Sequence, residues 1–194
     1  MKIIDQEEKK IYIQSITADD VNDTYVEWLN DPQVNQYLET RLKPQNLVSI
    51  TSFVKSSINN PKEYLFTINT SSDRHIGNIK VGAIDQYHGT GEVSLFIGDK
   101  NCWGKGYATL AITLISYFAF SILKLRKLSA GAYLSNKAST KAFIKTGYQI
   151  EGIKKAQFKF NNKFIDAIYV CLFSHQSQFP NSLKVEKLDL PDNK

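Results

Sequence analysis

The residues with the clearest chemical role form the segment 103–109, which reads WGKGYAT. A strand-like run at 92–98 precedes this segment, and an apolar stretch at 110–123 follows it. A helix that begins after a glycine-rich turn presents unpaired backbone N–H groups and partial positive charge to an anion. Gly104 and Gly106 let the backbone approach a phosphate without a Cβ in between. The sequence therefore predicts a loop that binds a phosphate-bearing ligand.

Two familiar phosphate-binding loops do not fit this segment. The P-loop ends in Gly-Lys-Ser/Thr after a longer glycine spacing, and the sequence has no such run. The dinucleotide fingerprint needs a third glycine, and Thr109 stands in its place. An isolated G-x-G also fits a plain turn before a helix, so the flanking sequence has to distinguish the two interpretations.

The segment resembles the pyrophosphate loop of the GNAT superfamily of acetyl-CoA-dependent N-acetyltransferases, whose pattern is Q/R-x-x-G-x-G/A. Gly106 and Ala108 match the last two landmarks of that pattern, and Trp103 stands where Gln or Arg is usual. This departure affects one side-chain contact and leaves the backbone cradle unchanged.

The resemblance continues downstream of the loop. A strand-like run at 127–134 is followed by an Asn-x-x-Ser helix start at 136–139 and by a closing Gly-Tyr pair at 147–148. The resemblance extends over residues 10–174. It is closest to the branch that includes the ribosomal-protein alanine acetyltransferases RimJ and RimL.

This resemblance implies an α/β (α+β) GNAT fold, in which helices flank a mixed, mostly antiparallel central sheet. Hydrophobic patterns and turn residues predict elements in the order βααβββαβαββ, which is the order of that fold. Residues 18–30 are expected to form the first helix, with Thr17 as its N-cap. The other helices are expected at 46–58, at 110–123 and after Asn136. Strands are expected at 11–16, 64–69, 76–84, 92–98, 127–134, 148–160 and 164–174.

The length of 194 residues is typical of one domain. We expect a single domain over residues 1–176 and a polar tail without periodicity over residues 177–194. The charged start of the chain does not resemble a leader, and the apolar stretch at 107–123 is short for a membrane span. Two cysteines and three histidines show no metal-ligand spacing, so we expect no metal and a reducing, cytoplasmic location.

The charge is unevenly distributed along the sequence. Residues 99–176 hold 12 Lys/Arg against 3 Asp/Glu, whereas residues 1–98 hold 9 against 13. A basic C-terminal half suits the three phosphates of acetyl-CoA, although a solvated basic face would have the same composition. No RNA-binding module or helix-turn-helix signature accompanies the charge, so no nucleic-acid partner is expected.

The resemblance implies direct transfer of an acetyl group from the CoA thioester to a primary amine in a ternary complex. The end of the strand before the loop should bind the pantetheine arm and polarise the thioester carbonyl, and N–H groups aimed at a developing oxyanion are effective there. The predicted acetyl-CoA site comprises Phe96, Ile97, Gly98, Trp103, Gly104, Lys105, Gly106, Tyr107, Ala108, Thr109, Asn136, Ser139 and Phe143.

Two residues are candidates for the proton transfers. Glu92 lies on the same strand face as Ser94 and Phe96, and similar enzymes often use a Glu there as a base that acts through water. It could equally be a structural carboxylate. Many relatives use a Tyr as the acid, but Phe143 stands at about that place, so Ser139 is the nearest replacement. Ser139 and Asn136 could instead serve as helix-capping residues.

The first helices and the loop between them should bind the acceptor. The residues available there are Trp28, Asn35, Tyr37 and Arg41. The run WLNDPQVNQYLETR is similar to GNAT enzymes that acetylate nucleotide-linked amino sugars, where Arg41 could pair with a phosphate. Arg41 could also form a local ion pair.

Other functions remain open at this point. The acceptor could be a peptide N-terminal amine instead of a small molecule. The chain could also be a non-catalytic CoA-binding module or a basic adaptor, since fold alone does not give function. Dimers are common among similar proteins, so a homodimer is a further expectation, and no membrane partner is expected.

Overall fold

The computed structural model describes residues 1–160 and 162–186. Within them, the strands form a nine-stranded sheet in the order β7-β8-β6-β5-β4-β3-β2-β1-β9. Neighbouring strands are antiparallel except for β5 and β6, which are parallel. The strands are β1 (Lys2–Asp5), β2 (Ile11–Ser15), β3 (Tyr64–Thr70), β4 (His75–Asp85), β5 (Thr90–Ile97), β6 (Lys127–Tyr133), β7 (Gln149–Phe160), β8 (Lys163–Phe173) and β9 (Leu183–Glu186).

Helices cover both faces of this sheet. A core that includes Ile112 and Phe118 lies between the sheet and α4, and the α5 residue Phe143 belongs to it. A smaller core on the opposite face joins Trp28 of α1 and Val54 of α3 to the sheet. The helices are α1 (Asp23–Asn30), α2 (Pro32–Asn35), α3 (Leu47–Ile58), α4 (Tyr107–Ser121) and α5 (Lys137–Lys145). No helix in the described part of the chain has the length and apolar character needed to span a membrane.

The predicted fold class is confirmed, because the mixed, mostly antiparallel sheet lies between helices as expected. The first predicted helix is wrong in one respect, since its α-helical part begins only at Asp23. Asp20 accepts hydrogen bonds from the backbone and hydroxyl of Thr17, which closes a separate 3-10 turn. The Asn22 side chain then caps the helix proper by accepting from the Tyr25 amide.

The chain termini add two strands that the sequence pattern did not predict. β1 pairs with β2 and with β9, and Ile3 lies opposite Val185. Ile3 and Leu183 are both buried in the main core. The expected polar tail is therefore wrong for residues 183–186, whereas residues 187–194 lie outside the described residues. Each strand has only four residues, too few to show a period of two convincingly.

The sheet opens between its two parallel strands. β5 and β6 are paired only where residues 90–92 face residues 127–129, although both strands continue beyond this point. The unpaired portions leave a gap in the sheet, and the loop at 103–106 and the start of α4 follow the end of β5.

Candidate functional site

The free edge of β5 presents backbone groups to this gap. The Gly98 amide donates to the Ile76 carbonyl at 2.8 Å, so Gly98 is directed toward β4. Because hydrogen-bonding direction alternates along an antiparallel strand, the amide and carbonyl of Ile97 are directed into the gap. Among Phe96, Ile97 and Gly98, which were predicted to contact the cofactor, Ile97 is thus the residue whose backbone groups face the gap. The Phe96 side chain packs against the smaller core instead.

The predicted phosphate loop has the geometry of an anion cradle. Gly104 and Gly106 have φ angles of 75° and 82°, which side chains other than glycine rarely adopt. A Cβ on either glycine would meet nothing within 4 Å, so open space adjoins both. Gly106 directly precedes α4, whose first turn, with Tyr107, Ala108 and Thr109, contains N–H groups without helical partners. These features fit a pyrophosphate group.

Exposed basic side chains lie in this loop and along α5. Lys105 is exposed between the two glycines. Lys137, Lys141 and Lys145 are exposed along α5, the helix that begins after β6. Their positive charge favours a ligand that carries several phosphates.

Trp103, which replaces the usual Gln or Arg, makes a hydrogen bond that the sequence did not predict. Its indole Nε1 donates to the Ile97 carbonyl at 2.8 Å. The side chain is thus bound to the strand edge, although 43% of the residue is exposed.

Glu92 is exposed on the sheet face that carries α1 and α3. It lies opposite Gly82, and a Cβ at Gly82 would be 3.4 Å from Glu63 Oε2. Glu63 in turn forms an ion pair with Lys80 at 3.2 Å, and Lys80 lies opposite Ser94. No sequence pattern indicated Glu63 or Lys80, because their proximity to Glu92 depends on the register of three strands. Glu92 therefore stands beside an existing ion pair.

The start of α5 places Asn136 and Ser139 together. Asn136 Oδ1 accepts a hydrogen bond from the Ser139 amide at 3.2 Å, so Asn136 caps α5 in this structure. Helix capping was one of the two roles predicted for it. Ser139 is half-buried, and its role as acid stays a prediction. Phe143 is 3% exposed and packs edge-to-face on Tyr148 at 5.0 Å, so it is a core residue with little surface for a cofactor.

Trp28, predicted to contact the acceptor, lies beneath the end of β5. It is 9% exposed, and its ring meets His75 edge-to-face at 5.0 Å. Burial lowers the pKa of His75, against the opposing effects of the Asp20 charge and of hydrogen bonds to Gly77 and Asn78. Trp28 therefore supports the site from the core.

The other predicted acceptor residues meet aromatic residues of the β6–β8 region. Arg41 Nη2 donates to the Tyr133 hydroxyl at 2.6 Å, and that hydroxyl donates to Glu39 at 3.1 Å. Arg41 also forms an ion pair with Glu39 at 3.3 Å. A local ion pair was the second of the two roles predicted for Arg41. Tyr37 stacks on Phe160 at 5.9 Å. Tyr133 was missed, although it lies on the same strand face as Ser129, the partner of Glu92.

An open cavity of about 560 Å³ lies beside this cluster. The Thr40 hydroxyl is buried there without a hydrogen-bond partner among the described residues. The lining combines amide, hydroxyl, aromatic and cationic side chains: Asn30, Pro32, Asn35, Gln36, Thr40, Arg41, Lys43, Pro44 and Phe160. Among the described residues, no group of three or more His, Cys, Asp or Glu could hold a metal ion.

The sequence matches a family model and several curated proteins. The model described as "Acetyltransferase (GNAT) domain" matches residues 10–149. The chain is 26% identical over 159 residues to the uncharacterized N-acetyltransferase p20 of Bacillus licheniformis, which covers 79% of this chain and 88% of that protein. It is 26% identical over 129 residues to the spermidine N(1)-acetyltransferase of Escherichia coli (strain K12), covering 66% and 68%.

Solved structures share the fold. The spermidine N-acetyltransferase from Vibrio cholerae in complex with CoA and spermine matches with a TM-score of 0.78 and 18% identity, over 86% of this chain and 97% of that one. The acetyltransferase (GNAT family) from Bacillus anthracis matches with a TM-score of 0.76 and 20% identity, over 90% and 99%.

Proposed function

This chain belongs to the GNAT acetyltransferase superfamily and is an acetyl-CoA-dependent N-acetyltransferase, and we propose that its acceptor is the primary amine of a nucleotide-linked amino sugar. The closer relationship to RimJ and RimL remains part of the proposal. The residue roles below are also proposals, built on the contacts around the gap between β5 and β6.

Two parts of the chain would bind acetyl-CoA, which supplies an activated acetyl group as a thioester. The amides from Gly104 to Thr109 would hold the pyrophosphate, because the loop is open and α4 begins there. The Ile97 amide, directed into the gap, would donate to the thioester carbonyl. Amino groups on α5 would add positive charge beside the phosphates.

Glu92 and Ser139 would carry the protons. The acceptor nitrogen forms a bond to the acetyl carbon, the carbon–sulfur bond breaks, and the amine releases one proton. Glu92 is exposed on the acceptor face and would take this proton through water. Ser139, at the start of α5, would relay a proton from solvent to the departing thiolate, so that its own hydroxyl is restored.

The cavity beside Arg41 carries the proposal for the acceptor. The buried Thr40 hydroxyl lacks a partner within the described residues, so a polar ligand group could satisfy its hydrogen-bonding capacity. Phe160 offers a ring face, and Lys43 adds positive charge. Hydroxyl-rich, anionic and partly flat ligands have the matching chemistry, and nucleotide-linked sugars combine these features.

The same lining disfavours a polycationic acceptor. Arg41 and Lys43 are both cationic, and none of the described residues that line the cavity is Asp or Glu. The Glu39 carboxylate nearby is already engaged by Arg41 and Tyr133. A polyamine would therefore meet like charge at this cavity. The spermidine acetyltransferases that are 26% identical to this chain would then share its acetyl transfer and differ in the acceptor.

A thiol-release assay with acetyl-CoA tests this proposal against a panel of amines. The panel contains UDP-linked amino sugars with a free amine, peptides with free N-termini, and spermidine. We expect release with an amino sugar, and a Lys43→Ala variant should raise its KM about threefold to tenfold, as for a lost charge-assisted contact. Lys55→Ala, which removes an exposed lysine from α3, is the matched control.

Other results would identify the competing functions. Release with peptides alone would indicate N-terminal acetylation, and release with spermidine alone would indicate a polyamine acetyltransferase. Binding of acetyl-CoA by calorimetry without release from any amine would instead favour a non-catalytic module. Each of these three results contradicts the proposed acceptor.

A further inference from the structure

The hydrogen bond between Trp103 and Ile97 joins the two parts of the acetyl-CoA site. Trp103 directly precedes Gly104, where the phosphate loop begins, and Ile97 ends β5. The indole Nε1 donates to the Ile97 carbonyl at 2.8 Å. This carbonyl is directed into the gap, since the neighbouring Gly98 amide is bonded to β4. One side chain thus connects the loop to the edge along which the pantetheine arm would lie.

We propose that Trp103 is a positioning residue that holds the phosphate loop at a fixed distance from β5. Acetyl-CoA must contact both the phosphate loop and β5. Because the hydrogen bond already holds the loop at a fixed distance from the strand, less conformational entropy is lost when acetyl-CoA binds. The proposal depends on the use of acetyl-CoA and is independent of the acceptor.

The loop has reason to need such a connection. Gly104 and Gly106 both have positive φ angles, and their α-carbons face open space. Glycines that lack packing contacts leave a backbone with many alternative conformations. The turn before them is closed locally, because the Cys102 amide donates to the Asp99 carbonyl at 2.9 Å. The indole bond adds a fixed point between this turn and the first glycine.

The bond also determines which backbone group of Ile97 is available to the cofactor. With the carbonyl engaged by the indole, the Ile97 amide is the group that remains to bind the thioester carbonyl. A Gln side chain also carries a donor N–H. We infer that a Gln at this position could make the same bond.

Two nearly isosteric variants test the inference, because Trp103→Gln retains a donor and Trp103→Met does not. Calorimetry would measure binding of acetyl-CoA and of its two halves, acetyl-pantetheine and adenosine 3′,5′-bisphosphate. Relative to Trp103→Gln, we expect Trp103→Met to weaken acetyl-CoA binding by about five- to tenfold, the loss of one hydrogen bond. The Kd of each half-ligand should change by less than about twofold, because neither half contacts both the phosphate loop and β5.

Two outcomes would overturn the inference. Equal losses for acetyl-pantetheine and acetyl-CoA would mean that residue 103 contacts the arm directly. Equal or tighter acetyl-CoA binding by Trp103→Met would mean that the donor is irrelevant or competes with the arm for the Ile97 carbonyl. Thermal unfolding of both variants checks that they are folded, and the matched pair keeps the comparison valid if both lose some stability.

Discussion

The indole of Trp28 lies directly over the α-carbon of Gly98, so that a Cβ built on Gly98 would be 2.1 Å from Trp28 Cδ2. Gly98 follows the last residue of β5, and Trp28 belongs to α1 in the smaller core. Only a glycine allows this approach of helix to strand. The position of the end of β5, which would contact the cofactor, therefore depends on the buried residue Trp28.

Replacement of Gly98 by alanine should disrupt this contact. Gly98→Ala has to displace either the indole or the strand, and overpacking of this kind typically costs about 1–3 kcal/mol. We expect a lower melting temperature and a raised KM for acetyl-CoA, measured by thermal unfolding and by thiol release. Gly152→Ala on β7 is the control, because its Cβ would meet nothing within 4 Å. An unchanged KM for Gly98→Ala would show that the packing yields without moving the strand.

The fold was largely predictable because its longer elements have strong patterns. The α3 helix, for example, was predicted from Asn46, and Asn46 does cap it by accepting from the Ser49 amide. The short edge strands β1 and β9 were not predictable, since four residues carry too little periodicity. Ile3 and Val185 become recognisable as strand residues only when paired across the whole chain.

The turn and helix start at 103–109 could be predicted from the sequence, whereas the surroundings of the predicted acceptor residues could not. Phosphate binding by this segment stays a prediction. A loop depends on residues adjacent in sequence, and Gly104 and Gly106 have positive φ angles with open space where a Cβ would stand. The contact of Arg41 with Tyr133 joins residues 92 positions apart, so no local pattern indicates it. Trp28 was predicted to contact the acceptor, whereas in the structure it is 9% exposed and packs over Gly98, a contact between residues 70 positions apart.

Glu92→Gln tests the proposed base. The amide is similar in shape but cannot accept a proton from the amine, and general-base catalysis typically contributes about 10²–10⁴ in rate. We expect kcat to fall by about a hundredfold or more while the acetyl-CoA Kd measured by calorimetry stays unchanged. Ser94→Ala, on the same exposed strand face, is the control. A kcat close to that of the unmodified enzyme in Glu92→Gln would leave Glu92 a structural carboxylate.

Tyr133→Phe tests whether the Arg41 cluster shapes the acceptor site. Burial is the main effect that raises the pKa of Tyr133, so its hydroxyl stays protonated and donates to Glu39. Removing this hydroxyl frees Arg41 to reorient, and we expect the acceptor KM to rise about threefold to tenfold, with an unchanged acetyl-CoA KM.

Tyr37→Phe provides the matched control for that variant. Its ring stacks on Phe160, and its hydroxyl makes no hydrogen bond within the described part of the chain. Loss of the Tyr37 hydroxyl should therefore leave Arg41 in place, so a change in the acceptor KM would report a contact of this hydroxyl itself. Equal KM changes in Tyr37→Phe and Tyr133→Phe would indicate that both hydroxyls contact the acceptor directly and that the link to Arg41 is not the cause.

His75 should make stability depend on pH near neutrality. Burial lowers its pKa below the ordinary value of 6.5, so the folded chain favours the neutral ring. The unfolded chain therefore binds more protons in this range, and stability rises with pH. The contribution is fully present above about pH 6.5 and is lost as the pH falls through the folded-state value.

Melting temperatures between pH 8 and pH 5 measure this effect. His75→Phe keeps a ring between Tyr25 and Trp28 but cannot titrate, so its melting temperature should fall less on acidification than that of the unmodified chain. A single group changes the free energy of unfolding by at most about 1.4 kcal/mol per pH unit. His175→Asn, at an exposed position, should leave the profile unchanged. Parallel profiles for His75→Phe and the unmodified chain would mean that His75 has the same pKa in the folded and unfolded states, and that acid lability arises from other groups.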